Sequence, residues 1–233
     1  MPEAVVPLVM SQRADVIETV HRGALAVVDV EGNVIASQAD PDGVYFVRSS
    51  CKPLQSLAAA EAGAFDRFEY TDARIALSTA SHSGEVAHIS ELRSTMEKVG
   101  ISEDDLICGL AWPLYERRRD EMVRAGERPT RLHNNCSAKH VAMIAAARSQ
   151  DEDAKTYWKP DHPHQQRLLR LIADLADLTT DQIRIGVDGC GVPTHALPLR
   201  AMALAFARLA DPSALGDERA EACRRVTHAM THY

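Results

Sequence analysis

The sequence predicts an α+β fold, an antiparallel sheet with helices packed on it. Three observations predict it. The first 48 residues read as short apolar runs broken by turn residues. From Pro53 onward the apolar spacing becomes helical. No repeat, low-complexity tract or long linker divides the 233 residues, so residues 1–233 read as one domain.

The strands come first. Val5–Met10 is a short apolar run and Ala24–Val30 a stronger one. Glu31-Gly32-Asn33 supplies a turn, after which Val34–Ser37 returns antiparallel to it. The turn residues at 39–43 precede a further strand, Val44–Val47. "ARIALS", residues 73–78, also reads as strand-like.

The helices follow. Leu54, Leu57, Ala58 and Glu61 fall on helical spacing, with Gly63 as the stop. His88–Val99 is a helix ended by Gly100, and Ser102-Glu103-Asp104-Asp105 looks like the capped start of another. Ser137–Arg148 is alanine-rich and helical, and Gln165–Ala176 is amphipathic. Ile183–Val187 reads as a strand running into "DGCGVPT". Leu199, Met202, Phe206 and Leu209 mark a last buried stripe.

Composition removes several classes of function. A net charge of −7 with no basic stripe argues against nucleic-acid binding. Arg117-Arg118-Arg119 lies among acids and reads as a solvated helix face. No apolar stretch approaches the roughly 20 residues of a membrane span, and the start lacks the basic region of a signal peptide. Five cysteines, an odd number, fit a reducing compartment better than a disulfide framework, so a cytoplasmic location is expected.

Four stretches can carry chemistry. In Ser49-Ser50-Cys51-Lys52-Pro53 the bland reading is a helix cap. The sharper one is a nucleophile beside its base, because residues three apart share a helix face. Burial, nearby cations and the helix dipole would each favour the neutral lysine that a base requires. Ser81-His82-Ser83-Gly84-Glu85 is either a loop with a cap or a polar cluster that a ligand approaches closely at Gly84. Cys136, Lys139 and His140 share one helical face, and Cys190 sits between two glycines at a strand end. Two cysteines with a helical neighbour can hold zinc. Chemistry alone favours His140 as the third ligand, since lysine must first lose a proton. Cys108 and Cys223 read as core residues, and His228 with His232 as a helix surface.

Taken together and in order, "HRGALAVVD", "RSSCKPLQ", "SHSGE", "SEDDLICG", "NNCSAKH" and "DGCGVPTHALPLRA" resemble the serine-type, zinc-binding L-asparaginases. These are the class 3 or rhizobial-type enzymes, also called the asparaginase II family. The resemblance implies a fold like that of serine β-lactamases and glutaminases, assembled as a homodimer, and hydrolysis of L-asparagine to L-aspartate and ammonia. By position it implies Ser49 as nucleophile, Lys52 as its partner and Ser81 as a second catalytic serine. It makes Cys136, Lys139 and Cys190 the ligands of Zn2+, in place of His140, with Asp188 and His82 on the substrate side.

The resemblance also implies a chain continuing beyond Tyr233, with a second lysine for Ser81. The domain is therefore expected to be incomplete at its C-terminus. Two rivals remain. Another S-x-x-K acyl-transfer hydrolase of the penicillin-interacting kind would also carry an S-D-N or Y-x-N triplet and a K-T-G, and neither occurs. A non-catalytic metal-binding or ligand-sensing domain would keep the cysteines without the turnover.

Overall fold

The computed structural model describes residues 4–233. Five strands open the chain: β1 (Val6–Arg13), β2 (Val16–Gly23), β3 (Leu25–Val28), β4 (Val34–Gln38) and β5 (Val44–Phe46). Seven helices follow: α1 (Lys52–Glu61), α2 (Ala64–Arg67), α3 (Asp72–Thr79), α4 (Val86–Val99), α5 (Glu116–Arg124), α6 (Ser137–Ser149) and α7 (Pro163–Ala176). Then come β6 (Arg184–Val187), β7 (Pro193–Pro198), α8 (Leu199–Ala210) and α9 (Asp217–His232). The α+β reading holds, and every strand pair in the described residues is antiparallel.

The strands form small separate sheets in place of one. β1 pairs with β2 and β3 with β4, while β7 lies between β5 and β6. The pairing of β5 with β7 joins Tyr45 to Leu197 and Phe46 to Ala196, so the strand before Ser49 is held by the segment after Cys190. This pairing positions the site. Val47, just past β5, still donates its amide to the His195 carbonyl at 2.9 Å.

The core is helical. Lys52 through Ala59 are all buried, so α1 is enclosed on every side, with α3, α6, α7 and α9 packed around it. Such a helix reads as apolar all round rather than amphipathic. In α6 the same is true of Ser137 through Ala147, and its alanines let it lie close against α1.

Two local expectations are corrected. "ARIALS" is helix, not strand: the Thr71 side chain caps α3 by accepting from Arg74 N, and alternation over six residues is too short to distinguish the two. The capping box at Ser102 exists but closes a single 3₁₀ turn, Glu103–Asp105, because Leu106 is already extended. β7, which the sequence reading did not assign, is a nearly fully buried strand. His228 and His232 are exposed on α9, and Cys108 and Cys223 are buried, as expected.

Candidate active site and metal centre

Ser49 lies in a 3₁₀ turn, Arg48–Cys51, between β5 and α1. Arg48 enters this turn in the left-handed region at φ 54°, a conformation that costs a non-glycine residue about 1–3 kcal/mol. Its guanidinium offsets that cost by pairing with Asp188, Nε to Oδ1 at 3.1 Å. The turn leaves Ser49 exposed and sends Lys52 inward.

Lys52 is 0% exposed, and its ammonium has three acceptors. Nζ donates to Ser81 Oγ at 2.8 Å, to the Asn135 carbonyl at 2.9 Å and to the Ala80 carbonyl at 3.0 Å. The lysine therefore meets Ser81, from a distant part of the chain, rather than Ser49 three residues before it. Burial pushes its pKa below the ordinary lysine value; Cys136 opposes this and Lys139 adds to it.

Ser81 is exposed and borders a cavity of about 500 Å³, which Ser83, His88 and Glu91 also line. His82 turns away from solvent. Its Nε2 lies 2.8 Å from Ser137 Oγ, and its Nδ1 accepts from Gly84 N at 3.2 Å. Burial, with His88 and Lys52 nearby, pulls its pKa down to about 4, so the ring is neutral. Both nitrogens are thus engaged in fastening the 81–84 loop to α6. Gly84 (φ 74°) is required there, because a Cβ would stand 2.9 Å from the Pro113 side chain.

The second cluster adjoins the first. The ligand atoms of Cys136, Asp188 and Cys190 all lie within 4.8 Å of one another. Lys139 Nζ is 3.4 Å from Asp188 Oδ2, and Cys190 Sγ 3.7 Å from the same oxygen. Cys136 precedes α6, Lys139 lies in its first turn, and Asp188 and Cys190 sit in the loop between β6 and β7. That loop closes tightly through Gly191 (φ 92°), whose Cβ would strike Ile107 at 2.8 Å.

The charges divide unevenly. A hydrogen bond from Cys190 holds Cys136 down at about 6, against burial and with help from Lys139 and Lys52. The same bond, with burial, pushes Cys190 up to about 12. Burial works against the Lys139 ammonium, but Cys190, Cys136 and Asp188 hold its pKa above the ordinary value. Burial likewise opposes the Asp188 carboxylate, which Lys139, the Gly189 amide and Arg48 nonetheless keep below its usual range. The donor set suits a borderline-soft cation: two sulfurs, a carboxylate and a displaceable ammonium. His140 Nε2, one residue past Lys139, is buried without a hydrogen-bond partner among the described residues.

The sequence had no means of indicating the Ala80 and Asn135 carbonyls, since a backbone acceptor leaves no trace in residue type. Arg48 was also missed, although it had a signal, a cation directly beside the exposed serine.

A family model described as L-asparaginase II matches residues 9–233. The chain belongs to the L-asparaginase II family. No curated protein matches it. Membership makes the protein an asparaginase-type amidohydrolase with a small-molecule substrate. Among the described residues, no helix is long and apolar enough to cross a membrane. In this L-asparaginase II chain, Lys52 and Lys139 are both buried at the two adjoining clusters.

Proposed function

We propose that the protein hydrolyses L-asparagine to L-aspartate and ammonia through a serine acyl-enzyme, beside a zinc ion. The observation that carries this reading is the buried Lys52 ammonium, 2.8 Å from Ser81 Oγ and three residues past the exposed Ser49. Ser49 Oγ attacks the side-chain carboxamide carbon. Lys52, in its neutral form, takes up the proton, and Ser81, already bonded to Lys52, passes a proton to the leaving nitrogen. The C–N bond breaks and ammonia departs. Water then attacks the β-aspartyl ester, releasing aspartate and restoring the serine.

Cys136, Cys190 and Lys139 would hold the zinc, with Asp188 alongside. Lys139 must give up its proton to do so, and a neighbouring dication favours that loss. What the metal supplies when bound is a fixed positive charge that can anchor or polarise an oxygen of the substrate. His82 acts from behind, keeping the Ser81 loop in place. Five free cysteines support a cytoplasmic location, and apolar side chains exposed on the strands support a homodimer.

The same lysine contact favours a second reading, in which Ser81 is the nucleophile and Lys52 its direct base. A mechanism-based electrophilic asparagine analogue distinguishes them. The zinc-loaded protein is labelled and its peptides are weighed. A label on Ser49, with Ser49→Ala losing nearly all ammonia release, is the expected result. A label on Ser81 moves the attack there, and a label on neither serine sinks the acyl-enzyme.

A further inference from the structure

His228 and His232 lie one turn apart on the exposed face of α9. Their ring centroids are 4.0 Å apart with the planes tilted by 31°, so the two imidazoles stand as one stacked pair. A carboxylate from another helix reaches this pair. α3 packs against α9, and Asp72, its first residue, places Oδ2 at 3.6 Å from His228 Nε2. That separation is long for a hydrogen bond. It is close to the roughly 3.0–3.4 Å between two donors that share one first-row ion through bonds of about 2.1 Å.

The second histidine is already oriented. His232 Nδ1 lies 2.9 Å from the His228 carbonyl, which can only accept. That nitrogen is therefore committed to the backbone, and Nε2 is the one left to bind. A ring held through its other nitrogen by a backbone carbonyl is the support that ligating histidines ordinarily have. Two imidazoles and a carboxylate make a nitrogen–oxygen donor set, suited to nickel, copper or zinc. The cluster at Cys136 offers sulfur instead, and α3 and α9 carry none of its residues.

We propose that His228, His232 and Asp72 form a second metal site, at the surface, for a divalent cation of the nickel–copper–zinc group. The histidines chelate through Nε2 from successive turns of α9, Asp72 supplies an oxygen, and water completes the coordination. A cation held there ties α9 to the start of α3. That helix ends at Thr79, two residues before Ser81, so the bridge braces the element that leads into the Ser81 loop. The site does not depend on whether the cysteine cluster holds zinc.

Nickel(II) added to the full chain is the probe. Calorimetric titration should show a component that His228→Gln and His232→Gln each weaken about 100-fold, because a linked pair of donors becomes a single one. Asp72→Asn should weaken the same component by a smaller factor. Paramagnetic broadening in nitrogen-15 spectra locates the ion, and the signals of Asp72, His228 and His232 should fade at substoichiometric nickel. All three side chains reach solvent, so the variants should fold, which metal-free urea midpoints check. Nickel should then raise the midpoint of the wild type and leave that of His228→Gln in place. Broadening confined to the surroundings of Cys136 and Cys190 would assign the ion to the cysteine cluster and overturn the second site. So would equal nickel affinity in the wild type and both histidine variants. Affinity unchanged in Asp72→Asn would remove the link to α3 and overturn the bridge.

Discussion

The β1–β2 hairpin and the α1–α6 pair are built on opposite terms. Nearly every residue of β1 and β2 is exposed, including Val16 at 64%, and the hairpin is held by its own ladder and by pairs such as Ser11 with Thr19. In α1 and α6 almost nothing is exposed, and even lysines lie inside. The boundary falls at residues 47–52. Ser49 belongs to the exposed side and Lys52, three residues on, to the buried side. A site with a substrate-facing hydroxyl and a desolvated amine needs such a boundary, since neither region alone supplies both environments.

The contrast can be broken most decisively at Lys52. Lys52→Met keeps the volume and removes the amine, so ammonia release should fall about 10²- to 10⁴-fold. The carbonyls of Ala80 and Asn135 lose a donor, so some stability is lost as well. Activity within a few-fold of wild type would show that the buried side contributes no chemistry.

Packing gives the next test. Leu57 is 0% exposed, and Leu57→Ala should destabilise the protein by about 2–5 kcal/mol. Val16→Ala in the hairpin should stay within about 0.5 kcal/mol. Urea midpoints compare the two. An equal cost at Val16 would mean that the hairpin is covered in solution, by a second copy for instance.

A further test lies in acid. His164 on α7 is 0% exposed, and neither ring nitrogen has a hydrogen-bond partner among the described residues. Burial, with Arg167 and His162 adding to it, pulls its pKa down to about 3. An unfolded histidine takes a proton near pH 6.5, so as pH falls the unfolded chain binds the proton first. Stability from this group is complete above about 6.5 and declines toward about 3, by up to about 1.4 kcal/mol per pH unit. His164→Leu should flatten the decline seen in urea midpoints across that range. An unchanged acid slope would show that His164 is not kept neutral.

Much of this was legible in residue order, and the failures have physical causes. Helices α4, α7 and α8 announced themselves by period, because each buries a stripe, and α6 by its alanine content. β2 did not, since a strand exposed on both faces has no reason to alternate. β7 starts at Pro193 just after Gly191, and nothing within the segment shows the pairing with β5 and β6 that makes it a strand. At the site, Ser49 and Lys52 were visible as a pair by α-helical spacing. Ser49 in fact precedes α1 in a 3₁₀ turn entered through Arg48 at φ 54°, and it stays exposed while Lys52 is buried. The contact of Lys52 with Ser81 joins α1 to the loop after α3, and spacing within one segment carries no information about it.

Asp188 has one oxygen toward Arg48 and the other toward Lys139, so a single carboxylate fastens the serine turn to α6. The three residues are far apart along the chain, and β5 finds its partner in β7, which is synthesised much later. Closing so long a loop comes late in folding, after the local helices have formed. The turn that bears Ser49 is therefore among the last pieces to lock and among the first to come loose. On warming, the protein should stop turning over before its helices melt, and on cooling it should look folded before it works again.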